Sequence, residues 1–217
     1  MKEAILAVDI GGSKYMTGLI LPDGTLLDKK RYVWTDYTQP LIREQLIGAI
    51  RKLLEAHPDL HIIGGGITIP GLADPESGVW ISTEFMGIKN YPIAKDLNAM
   101  FDLPFFIEND GRACVLAERY FGAGQDCDDF LYITVSNGIG GGLFLNGKLH
   151  RGTTGSAGEI GQCVVVENGR MSGDGTAGTL EMYAAAAGLV QNYLEAGGRR
   201  RIDGDRKSTR LNSSHRT

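Results

Sequence analysis

Cysteine is scarce: Cys114, Cys127 and Cys163 are the only three in 217 residues, and they lie far apart with no metal-like spacing. That excludes a disulfide framework and points to a reduced, cytoplasmic chain. No apolar run approaches the roughly 18–20 residues needed to cross a bilayer, so no membrane partner is expected. A strand-like pattern starts almost at Met1 and leaves no room for a signal peptide. Basic charge is not in excess either. Lys and Arg number 22 against 26 Asp and Glu, a net charge of -4, which argues against nucleic acid as a partner.

What is plentiful is glycine, at 31 residues, about twice the usual share of roughly 7%. Glycine on that scale suits tight turns near a ligand. Hydrophobic content of 42% and charged content of 22% are those of an ordinary globular protein. Glu3 to Asp9 reads as a mostly buried strand. Tyr15 to Leu21 and Leu26 to Trp34 are β-rich and joined by Pro22-Asp-Gly24, a hairpin signal. Leu41 to His57 carries helical spacing at Ile42, Leu46, Ile47, Ile50, Leu53 and Leu54. Ile62 to Ile69 reads as a buried strand despite Gly64, Gly65 and Gly66, and Asp74 to Gly78 as a turn. A helix is expected from Pro92 to Phe101, a strand from Pro104 to Ile107, and a helix from Gly111 to Phe121 with Gly122 as its stop. Phe130 to Val135 is a further strand. Gly142 to Leu149 is a hairpin, and Leu180 to Ala196 a single amphipathic helix. Strands mixed with helices imply an α/β protein.

Three short segments carry chemistry. Asp9-Ile-Gly-Gly-Ser-Lys14 follows a strand, and its glycines let backbone N–H groups approach phosphate oxygens. Asp9 is placed to hold Mg²⁺ through water, and Ser13 and Lys14 add donors. Taken alone, the segment is equally a plain hairpin turn with an exposed Asp. Ser136-Asn-Gly-Ile-Gly-Gly-Gly142 is a second such turn, or else a flexible loop. Between them, Glu108-Asn-Asp110 sits at a strand end before a helix, where ligands bind in α/β sheets. Asp110 has the placement of a general base; its other reading is the N-cap of the next helix. Glu159, within Gly155 to Gly161, is placed to accept hydrogen bonds from sugar hydroxyls. His57, His61 and His150 read as isolated surface residues, and Trp34 and Trp80 as packing.

These motifs, in this order, resemble the ROK family (repressors, open reading frames and kinases) of the actin-like ATPase superfamily. Asp9-Ile-Gly-Gly-Ser13 is similar to its first phosphate motif, and Glu108-Asn-Asp110 with Ala117-Glu118 to its catalytic segment. Gly66 to Gly71 with Asp74 to Gly78 resembles its next strand and turn. Asn137 to Gly142, Asn146-Gly-Lys148, Arg151-Gly152 and Gly158 to Gly161 resemble its second phosphate loop and sugar-facing stretch, and Leu180 to Ala184 a later segment. The resemblance covers residues 3 to 195. It implies an actin-like, ribonuclease H-like two-lobe α/β fold: an N-terminal lobe over 1–120 and the start of a second over 121–204. It also implies an ATP-dependent kinase acting on a hexose or N-acetylhexosamine hydroxyl, with Asp110 as base. Asn109, Asp110, Glu159, Gln162 and Glu181 would face the sugar. Asp9, Gly11, Gly12, Ser13, Lys14, Asn137, Gly138 and Gly140 would hold Mg-ATP, and the full-length protein would be a homodimer.

The sequence departs from that pattern in four places where many members hold structural zinc. Gln162 replaces the His, and Ser172, Asp174 and Thr179 replace the cysteines, so tetrahedral zinc is not expected. Glu84 stands where the family often has Asn, and Asn137 where Thr is common. The alternative functions are a sugar-responsive repressor and a sugar-binding protein without catalysis. Asp9 follows Met1 by eight residues, which leaves no room ahead of it for a helix-turn-helix module. Finally, Asp205 to His215 has no periodicity and reads codon for codon as a translated sequencing adapter. Residues 205–217 are therefore expected to be non-native. The chain is then expected to be an N-terminal fragment with an incomplete second lobe, weak ATP binding and no useful turnover.

Overall fold

The computed structural model describes residues 2–199; the tail expected over 205–217 lies outside them. The chain divides into two compact units, residues 1–130 with 143–157, and 131–142 with 158 onward.

The first unit is organised by a five-stranded sheet. Its strands β1 (Lys2–Ile10), β2 (Lys14–Ile20), β3 (Leu26–Val33), β4 (Leu60–Ile69) and β8 (Phe105–Asn109) run in the order β3-β2-β1-β4-β8. β1, β2 and β3 are antiparallel neighbours, whereas β4 and β8 run parallel to β1. The parallel steps need crossover connections, supplied by the helices α1 (Gln39–Glu55) and α2 (Ile93–Phe101). α1 lays Ile42, Leu46, Ile47, Ala49, Ile50 and Leu53 against the sheet, where Leu6, Val8, Ile10, Ile67, Ile69 and Ile107 complete the core. Gly65 of β4 has a packing cause. The Phe105 ring on the adjacent strand occupies the space a side chain at Gly65 would need. The Pro22-Asp-Gly24 turn forms as expected, with Gly24 at φ 86° and Thr25 N–H donating to Asp23 Oδ1 at 2.8 Å.

A smaller antiparallel sheet, which the sequence pattern did not reveal, is made by β5 (Leu72–Asp74), β6 (Val79–Thr83) and β7 (Ile88–Tyr91). Its strands are short and closed by the Asp74 turn, so each falls below the length at which alternation is legible. Trp80 is fully buried here, its indole N–H donating to Thr83 Oγ1 at 2.7 Å and Pro70 O at 3.0 Å. His57 is not isolated: it is half-buried, with Nε2 3.0 Å from Asp28 Oδ2.

After β8 comes α3 (Asp110–Phe121). Gly122 ends it without the left-handed backbone typical of a glycine stop, at φ -118°. Glycine is required for closeness instead, since an added Cβ would lie 2.9 Å from Glu118 Cα. The unit closes with the second part of β10 (Ile139–Leu145) and β11 (Lys148–His150), joined by Asn146 and Gly147 at φ 52° and 70°, a turn that matches strand twist.

The second unit holds β9 (Phe130–Val135) from Leu131 onward, the first part of β10, and two helices, α4 (Leu180–Ala184) and α5 (Ala186–Glu195). The single helix expected over Leu180 to Ala196 is therefore broken at Ala185, whose ψ of 169° is extended. The break frees Ala186 N–H to donate to Ser136 O at 2.9 Å. Gly188 then lets α5 fold back on α4, because a side chain there would collide with the backbone of Met182 and Tyr183.

Leu46 is completely buried between α1 and the sheet. Leu46→Ala is expected to cost about 2–5 kcal/mol, read as a lower urea midpoint for the first unit.

Candidate active site

Strand register builds the first part of the site. Asp9 on β1 lies beside Thr68 on β4, and Thr68 beside Glu108 on β8. The C-terminal ends of three parallel strands thus present Asp9, Thr68 and Glu108 in one row, with Asn109 and Asp110 next along the chain. Such strand ends are where open α/β sheets bind ligands.

The turn after β1 is shaped from below. Gly11 N–H donates to Lys14 O at 2.9 Å, and Trp34 Nε1 donates to Gly11 O at 2.8 Å. Trp34 in turn stacks on Tyr15 with ring centroids 4.1 Å apart. Its role thus exceeds the packing read from sequence. The exposed Phe85 ring lies over Gly12, where an added Cβ would come within 2.9 Å of it. Among the described residues, the Gly12 and Ser13 N–H groups have no protein acceptor. They are therefore available to an anion. Asp9 is exposed, and its Oδ1 accepts from Thr68 Oγ1 at 2.7 Å.

At the end of β8 the N-cap of α3 is Asn109 rather than Asp110. Asn109 Oδ1 accepts from Arg112 N–H at 3.1 Å, and Asn109 Nδ2 donates to Gly71 O at 3.0 Å. Both ends of this amide are thus engaged by the protein. Asp110 is released from capping and takes the first helical position, with Oδ1 accepting from Gly111 N–H at 2.8 Å. Its surface reaches solvent, but the surrounding protein strips much of its hydration. That desolvation pushes its pKa above the ordinary carboxylate value, the Gly111 hydrogen bond opposes the rise, and the negative charge of Asp9 adds to it. A base with a raised pKa is better matched to neutral pH.

Beneath this corner lies a charged cluster that the sequence reading did not single out. Glu108 Oε1 accepts from Arg112 Nε at 2.7 Å, and Glu108 Oε2 from Arg151 Nη2 at 2.7 Å and Nε at 3.0 Å. Arg112 Nη1 also donates to Gly155 O. The four-residue spacing of Glu108 and Arg112 was the only local signal; the links to Arg151 and Gly155 span 43 residues.

In the second unit, the turn from Ser136 to Ile139 is held by its own neighbours. Ser136 N–H donates to Gly138 O at 2.8 Å, and Ile139 N–H donates to Glu181 Oε2 at 2.8 Å. Glu181, read as a sugar contact, therefore sits against the glycine turn, where a Cβ on Gly138 would come within 2.6 Å of its carboxylate. Asn137 is exposed, and Gly140 packs near Thr134. Among the described residues, Asn137 and Gly138 N–H have no protein acceptor. Glu159 is half-buried and Gln162 exposed, with Gln162 N–H donating to Glu159 O at 3.1 Å.

The stretch from Ser172 to Thr179, where the resemblance implied a departure from a zinc pattern, is closed by hydrogen bonds. Asp174 Oδ1 accepts from Thr176 N–H at 2.9 Å and from Ser172 Oγ, and Ser172 N–H donates to Thr176 O at 2.8 Å. Thr179 is fully buried. Two hydroxyls, an amide and one carboxylate already engaged in a turn do not match the soft ligand set of structural zinc.

Comparison with known proteins decides the family. Residues 5–214 match the model described as the ROK family. The chain belongs to the ROK family. It is 35% identical over 198 residues to a glucokinase from Thermotoga maritima, covering 90% of this chain and 61% of that one. It is 32% identical over 171 residues to the DNA-binding transcriptional dual regulator NagC of Escherichia coli, covering 78% and 42%. Among solved structures, a ROK family glucokinase from Streptomyces griseus, in complex with glucose and AMPPNP, superposes with a TM-score of 0.75. Its identity is 31%, over 87% of this chain and 59% of that one. The mixed α/β architecture is accordingly that of the ROK actin-like sugar kinases. The chain spans between 42% and 61% of the length of these curated relatives. No described helix is long and apolar enough to cross a membrane.

Two outcomes follow. Elemental analysis of the purified chain should find no stoichiometric zinc. Asp110→Asn should stabilise the protein at pH 7 without added divalent cation. The folded state holds the Asp110 proton more tightly than the unfolded state, so Asp110 weighs against folding as pH rises through its elevated pKa. The gain on substitution should therefore shrink as pH falls below the raised Asp110 pKa and be gone below about 4, the ordinary Asp range, as seen in thermal midpoints measured across pH.

Proposed function

We propose that the full-length protein is an ATP-dependent kinase that phosphorylates a hydroxyl of a hexose or N-acetylhexosamine, with Asp110 as general base. The observation that carries this reading is the strand–helix corner, where Asn109 takes over helix capping and leaves a desolvated Asp110 beside Asp9. Sugar kinases among the relatives support it.

In this reading Asp110 accepts the proton of the sugar hydroxyl through the carboxylate oxygen not bonded to Gly111. The hydroxyl oxygen attacks the terminal phosphorus of ATP, the bond to the bridging oxygen breaks, and ADP leaves. The exposed N–H groups of Gly12 and Ser13, and those of Asn137 and Gly138, receive phosphate oxygens. Lys14 adds positive charge, while Gly11 and Gly140 keep the two turns narrow. Asp9 suits Mg²⁺ held through water, because it is an exposed carboxylate fixed on one oxygen by Thr68; the cation would offset phosphate charge as it develops. Asn109, Glu159, Gln162 and Glu181 are the proposed sugar-facing set. The lobes are assigned to 1–120 and 121–204, the full-length protein to a cytoplasmic homodimer, and the 217-residue chain alone to weak ATP binding.

A sugar-responsive regulator is the second reading, supported by NagC among the relatives. An ADP-release assay over a sugar panel, run on the complete reading frame, separates the two. Turnover is expected, and Asp110→Asn should lower kcat by about 10²–10⁴-fold while sugar binding persists. Sugar binding without turnover in the wild type would overturn the kinase reading.

A further inference from the structure

An open cleft of about 450 Å³ in the first unit is walled by residues 73–76 and Ile81 on one side and by residues 151–155 on the other. Neither wall belongs to the corner at 108–112, yet both are tied to it. Asn109 Nδ2 holds Gly71 O, just before the first wall. Arg112 and Glu108 hold the second, through Gly155 O and the Arg151 guanidinium. That second wall is closed on itself by Ala157 N–H donating to Arg151 O at 3.1 Å.

The tie is physically expensive. The Arg112 side chain is 1% exposed and that of Glu108 11%. Nη2 of Arg112 is buried with no hydrogen-bond partner among the described residues. Burying a charged pair costs several kcal/mol, and well-packed apolar residues often serve stability as well or better. A core built for stability alone has no need of Arg112. What the guanidinium supplies, and an apolar side chain cannot, is directed bonding to two separate stretches of chain at once.

We infer that Arg112 is a positioning residue: it locks residues 151–155 to the corner that carries Asp110. The base and residues 151–155 are thereby held in register. The catalytic consequence rests on the kinase reading; the lock itself does not.

The test uses amide hydrogen exchange on Arg112→Met and Arg112→Lys in the 217-residue chain, with kinetics on the complete reading frame. In Arg112→Met, amides at 109–112 and at 151–157 should both exchange about tenfold or more faster, with those of β1 and β2 unchanged. Arg112→Lys keeps a charge for Glu108 but lacks the fork that reaches Gly155. It should restore protection at 109–112 and leave 151–157 fast. If Arg112→Met does not fold, the lysine variant decides alone by that same split. Unchanged exchange at 151–157 in the folded variants would overturn the lock. In an active enzyme, Arg112→Met should lower kcat by about 10–100-fold, with the KM for ATP within about twofold, since binding common to ground and transition states is untouched. An unchanged kcat, or an equal loss traced to unfolding, would overturn the positioning role. Absence of turnover in the wild type would instead defeat the kinase reading and leave the exchange result to decide the lock.

Discussion

Parallel pairing of β1, β4 and β8 is the constraint on which the first unit depends. Side chains in a strand alternate with a period of two, so a shift of one residue in either pairing would exchange buried and exposed faces. The register that buries Leu6, Val8, Ile67 and Ile107 under α1 is the same one that aligns Asp9, Thr68 and Glu108. Core and site are not separate achievements of the chain. Apolar burial on one face fixes the polar row at the strand ends, and the turns that follow inherit its geometry.

The second unit depends on a different device. Its glycine turn carries little apolar surface and cannot be held by packing alone. Glu181 and the interrupted helix hold it through backbone hydrogen bonds at Ile139 and Ser136. The hairpin at 171–177 likewise closes on the Asp174 carboxylate. In both turns a side-chain carboxylate accepting from a backbone N–H supplies the cross-link, each bond contributing modestly.

Much of this was legible in the chain. The five-stranded sheet and the helices of the first unit follow directly from hydrophobic period and from Pro and Gly punctuation. The glycine turns and the Glu108-Asn-Asp110 corner lay where their flanking strands put them. What escaped was set by partners distant in sequence. The break at Ala185 goes with a hydrogen bond from Ala186 N–H to Ser136 O, 50 residues away. Asn109 rather than Asp110 became the N-cap because Gly71 holds the other end of its amide. The Glu108 cluster joins residues 43 apart, and no local pattern announces such a contact. The short strands β5 to β7 failed for a simpler reason: they contain too few residues for alternation to rise above chance.

Trp34 carries one further consequence. Its indole N–H is bonded to the Gly11 carbonyl, at the turn nearest Asp9, whereas the other indole, Trp80, is sealed within the small sheet. The protein therefore contains two indole fluorophores in unequal settings: one coupled to the backbone of the glycine turn after β1, the other insulated from it. A change in the backbone of that turn can reach an optical signal through a single hydrogen bond, with the second indole as an internal reference and no label attached.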